Sequence, residues 1–305
     1  MKKEKVCWLN GANVIITGAS DGIGKALTET LINEHDCFVL GIARNKTKLE
    51  ALKISLGSKG DNFSYISADV SDENFWKNIS SALKENESKF DILINSAGIM
   101  PPFTMFEDYD DDLFPETINV NLMGTYYAVR YILPLLRDSA RASIINIASA
   151  AAVSPLAGTA AYSASKSAVK AFSEALSAEL NHKVYVAHVC PGFTKTNLFR
   201  KTDGFFDSKI ISVLSSSVQK LTKKIIKGMK NHKKRMIFGA DANLMRMFYK
   251  VAPTLTAPAI MGIMKKSGVK AFSGMFKEET PKIEQAQEQT TQAQNTEIQA
   301  PENKE

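Results

Sequence analysis

The chain is poor in cysteine. Its 305 residues include three, Cys7, Cys37 and Cys190, an odd number, widely spaced and without a CxxC pair. That pattern argues against a disulfide framework or a metal site. It fits a reducing compartment such as the cytoplasm, with each thiol a small buried hydrophobe. Also lacking is any apolar run of about 18 residues, so no spanning helix is expected. The N-terminal MKKEKVCWLNGANVIITG begins basic, but Asn10, Gly11 and Asn13 interrupt its apolar residues. A signal peptide is therefore not expected. What remains is a chain of ordinary globular make-up, 44% apolar and 23% charged. It is long enough for one α/β domain with an extension. The net charge of +6 is compatible with a phosphorylated cofactor, an anionic membrane or nucleic acid. No recognised nucleic-acid motif accompanies it, so no nucleic-acid partner is expected.

Short β-branched runs alternate with helical patterns. VIIT (14–17), FVLGIA (38–43), FSYISADV, DILINSAG, SIINIAS, VYVAHVCPG and MIFG (236–239) read as strands. Strands apolar throughout and separated by helices predict an α/β fold. Its sheet is parallel and doubly wound, with about seven strands and helices on both faces. One domain is expected over 1–240, including a substrate loop at 193–217. An apolar extension follows at 241–276, where Pro253, Pro258 and Gly262 are read as breaks. The tail 277–305, rich in Gln, Glu and Thr and without an aromatic, is expected to be disordered.

TGASDGIG (17–24) follows the first strand and opens a helix. Gly18 can take the tight turn. Gly22 and Gly24 let backbone approach a pyrophosphate at the helix N-terminus. The spacing is not GxGxxG, and a plain strand–helix connection is the competing reading. After the second strand stands Ala43-Arg44, where a carboxylate would accept from the ribose of NAD. The missing acid, with a guanidinium suited to a 2′-phosphate, favours NADP(H) over NAD(H). A solvated surface Arg44 is the plain alternative. YSASK (162–166) sets a tyrosine and a lysine one helical turn apart; alone it is common by chance.

Together these marks resemble the short-chain dehydrogenase/reductase family, from about Gly11 to Gly239. They are TGxxxGIG, Asp69-Val70, Asn95-x-Ala97-Gly98, Asn121, Ser149, Tyr162-x-x-x-Lys166 and Pro191-Gly192, in the family's order. Ser96 stands where the family often has a second Asn, and Ala148 where a second Ser is frequent. Asp21 holds a turn position where NADP users often carry a basic residue. The resemblance implies a Rossmann-type fold, a nicotinamide cofactor, a small carbonyl or alcohol substrate and a homo-oligomer. It implies cofactor contacts from Gly18, Ser20, Asp21, Gly22, Ile23 and Gly24, with Arg44, and from Asp69 and Val70 beside adenine. Asn95, Ala97 and Gly98 would follow along the ribose, and Pro191, Gly192 and Thr194 at the carboxamide; Tyr162 and Lys166 also border the cofactor. It implies a catalytic tetrad of Asn121, Ser149, Tyr162 and Lys166, in which Asn121 holds a water leading from Lys166 to solvent.

Tyrosine as acid/base needs its pKa brought from ~10 to about 7, about 4 kcal/mol. A positive charge ~4 Å away at an effective dielectric of ~20 supplies that order; Lys166 is the expected source, and the oxidised nicotinamide adds a second positive charge. Ser149 would donate to the substrate oxygen as charge develops there. Ala168, Phe172, Ala175 and Leu176 read as core or oligomer contact. After Pro191-Gly192, residues Phe193, Leu198, Phe199, Phe205, Phe206, Ile210 and Ile211 either wall a greasy pocket or cover the core. The run 220–235 has eight basic residues and no acidic one. Its helical stripe of Val218, Leu221, Ile225 and Met229 suggests that most of these lysines face water. The extension 241–276 is expected to be a lid, a dimer arm or a peripheral membrane contact, and a lipid-like substrate is favoured. The alternative function is a catalytically silent nucleotide sensor of the same fold, against which the intact Tyr162 and Lys166 speak.

Overall fold

The structure, a computed structural model, describes residues 7–136, 138–181, 183–199 and 215–276. The tail 277–305 and, in the substrate segment, Phe205, Phe206, Ile210 and Ile211 lie outside the described residues. One parallel sheet runs in the order β3-β2-β1-β4-β5-β6-β7. Its strands are β1 Asn13–Thr17, β2 Phe38–Ala43, β3 Phe63–Ser67, β4 Ile92–Asn95, β5 Ser143–Ile147, β6 Tyr185–Pro191 and β7 Arg235–Phe238. The central β4 and β5 are buried at every position, which is why their sequences are apolar without alternation. The connection reverses direction between β1 and β4, which pair side by side with Thr17 opposite Asn95. Ligands of such sheets sit beyond the carboxyl ends at this reversal.

Helices α1 Gly22–His35, α2 Lys46–Ser55, α3 Glu73–Glu85, α4 Leu113–Ile118, α5 Gly124–Leu136, α6 Ala160–Glu179 and α7 Val218–Lys230 cover the sheet. One face buries Leu27, Leu31, Leu49, Ile225 and Met229 against the strands. The other buries Trp76, Val129, Ile132 and Leu176. In α7, Leu221, Ile225 and Met229 are fully buried while Lys220, Lys223, Lys224 and Lys227 are exposed. The basic run is therefore the solvated face of a core helix.

The extension forms α8 Ala240–Val251, α9 Pro253–Lys266 and a 3-10 turn over Lys270–Phe276. Of the three expected breaks, only the first is real. Ala252, at φ −137 and ψ 68, ends α8, and Pro253 starts α9, as the restriction on a residue before proline requires. Pro258 lies inside α9. The carbonyl it leaves without a donor belongs to Thr254, which is exposed, so solvent serves it and the helix continues through Gly262.

Two glycines give opposite expectations. A Cβ at Gly24 would collide with the Gly18 carbonyl, whereas one at Gly262 meets nothing within 4 Å. Gly24→Ala should cost about 1–3 kcal/mol by overpacking a backbone contact. Gly262→Ala should gain up to about 1 kcal/mol from helix propensity. Urea unfolding of the two variants checks both signs.

Candidate active site

The turn after β1 shapes one end of the site. Gly18 has φ +70, and a Cβ there would stand 2.8 Å from the Ala97 nitrogen. Only glycine satisfies both the conformation and the approach. Asp21 caps α1, its Oδ1 accepting from Gly22 N at 2.7 Å. The same carboxylate pairs with the Lys48 ammonium and accepts from Asn197 Nδ2 at 2.9 Å. Burial pushes the Asp21 carboxyl up, but hydrogen bonds from Lys48, Asn197 and Gly22 outweigh it and hold the group below its ordinary value.

A cleft of about 320 Å³ follows the carboxyl ends of the strands, from Arg44 and Lys48 to Tyr162 and Lys166. The sequence-predicted Gly18, Ser20, Asp21, Gly22, Ile23, Arg44, Asp69, Val70, Ala97, Gly98 and Pro191 line it. Ser149, Gly192 and Thr194 line a smaller pocket that shares Tyr162 and Pro191 with the cleft. Of the predicted cofactor contacts, two line neither pocket. Gly24 is spent on helix packing against Gly18. Asn95 sits below the cleft, fully buried, donating to Asn146 at 2.9 Å, which in turn donates to Ser173 at 2.8 Å. Lys48 and Asn197 are cleft residues that the sequence reading missed. For Lys48 a signal existed: it stands four residues beyond Arg44 in the first turn of α2, where Asn45 caps its nitrogen.

At the other end, α6 buries Tyr162 and Lys166 to 6% and 5% exposure. Lys166 Nζ donates to the Ile147 carbonyl at 3.0 Å and lies 6.0 Å from the Tyr162 ring centre. Ser149 lines the same pocket as Tyr162. Its Oγ accepts from Ala151 N at 3.2 Å. Asn121 falls in a π turn, Asn119–Met123, between α4 and α5, a local widening typical of functional positions. Its Oδ1 accepts from Ile99 N at 2.8 Å, and its Nδ2 donates to Ile99 O and to Ser165 Oγ, each at 3.0 Å. Asn121 thus fixes the backbone after β4 beside Lys166. A Cβ on Gly98 would come within 3.0 Å of Asn121 Oδ1 and 3.2 Å of Lys166 Nζ.

In the protein alone, burial sets the electrostatics of the pair. Burial pushes the Tyr162 phenol up to about 12, with Ser149 acting the other way. Burial also brings Lys166 down to about 8. Desolvation disfavours both charged forms. In the protein alone, burial outweighs the other influences on Tyr162, which stays protonated at neutral pH.

Around Tyr162 the walls are apolar. Met100, Phe103 and Ala151 cluster with it, and the extension adds Met264, Val269, Phe272 and Met275. Phe193 and Leu198 pack on the same cluster. Asp241 at the start of α8 ties this wall to the loop after β6, its Oδ2 accepting from Phe193 N at 2.6 Å.

The residues present fit a dinucleotide. The glycine turn admits no side chain, basic groups stand at one end, and a buried Tyr–Lys pair closes the other. These features define a nucleotide-binding α/β oxidoreductase. The chain belongs to the short chain dehydrogenase family, whose model matches residues 12–204. It is 31% identical over 191 residues to a 2,3-dihydro-2,3-dihydroxybenzoate dehydrogenase of Bacillus subtilis, covering 62% of this chain and 72% of that one. It is 29% identical over 250 residues to a 3-dehydrosphinganine reductase of Danio rerio, covering 78% and 74%. A 3-ketoacyl-(acyl-carrier-protein) reductase from Brucella melitensis, solved with NADH, superposes with a TM-score of 0.67. It is 25% identical, and the match covers 75% of this chain and 97% of that one. The chain is accordingly an NAD(P)-dependent dehydrogenase/reductase acting on CH–OH or C=O groups.

Burying Lys166 has a cost that pH exposes. Its pKa falls from 10.5 to about 8 on folding. The penalty is therefore fully present below pH 8 and is relieved as pH rises from about 8 to 10.5. Lys166→Met, without cofactor, should be more stable than the parent at pH 7 by about 1–3 kcal/mol. That margin should shrink between pH 8 and 10.5, as followed by denaturant titration across pH.

Proposed function

We propose that the protein interconverts a hydrophobic, lipid-like carbonyl and its alcohol using NADP(H), with Tyr162 as the acid/base. The observation that carries this reading is the buried Tyr162–Lys166 pair, sharing a pocket with Ser149 and walled by apolar side chains. A bound nicotinamide supplies or takes the hydride. In the reducing direction a phenol that is protonated at neutral pH is the right donor to the substrate oxygen. Ser149 donates to the same oxygen as negative charge grows on it. Lys166, fixed to Ile147 O, holds positive charge below the reacting centre. In the oxidising direction Tyr162 must release its proton, which calls for more positive charge than Lys166 alone provides. Asn121 positions the backbone beside Lys166.

The NADP(H) preference rests on the far end of the cleft. Arg44 is exposed there, 3.7 Å from Asp69, and no carboxylate replaces Ala43. Asp21 argues the other way by its charge, but Lys48 neutralises it. The apolar substrate rests on Met100, Phe103, Phe193 and Leu198, and on the extension 241–276 acting as a lid over Tyr162. The reading extends to a cytoplasmic protein, homo-oligomeric and peripheral to a membrane. An NADPH-oxidation screen across aldehydes, ketosteroids, sugars and acyl thioesters tests the substrate class. Turnover confined to sugars would reject it.

Two substitutions test the roles. Tyr162→Phe should lower turnover at least about 10²-fold with NADPH binding nearly unchanged; normal turnover would remove the acid/base assignment. Arg44→Ala and Lys48→Ala should each weaken NADPH binding by about 1.5–3 kcal/mol and leave NADH nearly unaffected. Adding Asp21→Asn to Lys48→Ala should recover part of the loss, because the uncovered carboxylate would otherwise repel the phosphate. Isothermal titration with both cofactors reads these differences.

A further inference from the structure

The extension carries a second apolar surface, on the side away from Tyr162. On α8, Leu244, Met247, Phe248 and Val251 recur at i, i+3, i+4 and i+7, one helix face, and each is between 51% and 80% exposed. On α9, Leu255 and Ile263 continue it at 67% exposure each. The inner sides of the same helices are also apolar. Met245 of α8 lines the pocket beside Tyr162, and Met264 of α9 is buried against it. A helix apolar on both sides belongs under cover on both.

Charge identifies the cover. Residues 242–276 contain no Asp or Glu but carry Arg246, Lys250, Lys265, Lys266 and Lys270, all exposed. A symmetric contact with a second copy would set this patch against itself, cation against cation. An anionic lipid surface takes the apolar stripe into its acyl boundary and the cations at its headgroups. Among the described residues no helix is long and apolar enough to cross a membrane, so α8 and α9 would lie in the interface.

We propose that the outer face of α8 and α9 docks on an anionic membrane, seating the substrate pocket one helix diameter, ~10 Å, from the lipid. Lipid-borne substrate then enters from the bilayer side; this part rests on the apolar-substrate reading above.

The full chain is floated with vesicles of phosphatidylcholine alone, or with about one-third phosphatidylserine, at low and high salt and without substrate. It should float with the anionic vesicles at low salt and at least roughly tenfold less with neutral vesicles or at high salt. Met247→Glu/Phe248→Glu should abolish flotation. The same variant should oxidise NADPH with a water-soluble ketone at the parental rate, which shows that it folds. Arg246→Gln/Lys250→Gln should weaken flotation roughly tenfold. Absence of flotation at low salt, or flotation indifferent to Met247→Glu/Phe248→Glu, overturns the docking. So does a dimer of the parent that this variant converts to monomer while neither floats, since a second copy then covers the face. Flotation together with inactivity on every lipid carbonyl would sink the apolar-substrate reading and leave the docking standing.

Discussion

The constraint on which the structure turns is the burial of a phenol and an ammonium one helical turn apart. Both groups resist ionisation in that place: Tyr162 is pushed up to about 12 and Lys166 down to about 8. Most of the neighbouring features accommodate them. Ile147, ending β5, gives its carbonyl to Lys166. Gly98 omits a Cβ that would crowd Lys166 and Asn121. The π turn at Asn119–Met123 brings Asn121 against Ile99 and Ser165, so the segment after β4 and helix α6 are locked together beside the pair. A core built for stability alone would hold an apolar pair here.

The other end of the cleft is organised by neutralisation. Asp21 caps α1, and an isolated carboxylate there would oppose an incoming phosphate. Lys48 from α2 and Asn197 from the loop after β6 meet it instead. Arg44 remains beside them at the rim, its nearest carboxylate at Asp69 3.7 Å away. One end of the cleft thus carries fixed charge at the surface, and the other holds a buried phenol and ammonium under apolar cover. The reversal of strand order between β1 and β4 joins the two.

Much of this was legible in sequence. The apolar strand runs came out with their order and near their true bounds; FVLGIA is β2 residue for residue. The TGxxxGIG turn and the Tyr162–Lys166 spacing fall on one cleft, and both were readable because they are local and their geometry follows from spacing. What escaped depends on distant contacts. Asn197 reaches Asp21 across 176 residues. The bond of Asn95 to Asn146 and, through it, to Ser173 joins three elements and could not be read from the local motif. The desolvation that raises Tyr162 in the protein alone could not be read from a pair spacing, because it shows only once the fold is built. Pro258 was read as a break because proline lacks a donor; the exposure of Thr254, which makes that loss tolerable, is a tertiary fact.

The central claim is that Tyr162 carries the proton and that its pKa comes down only when further positive charge joins Lys166. Ultraviolet difference titration of tyrosinate measures this, taking the parent minus Tyr162→Phe with and without NADP+. The account predicts no difference signal up to about pH 10 in the free protein. With NADP+ it predicts a one-tyrosine step at clearly lower pH. A difference titration unchanged by NADP+ would contradict it.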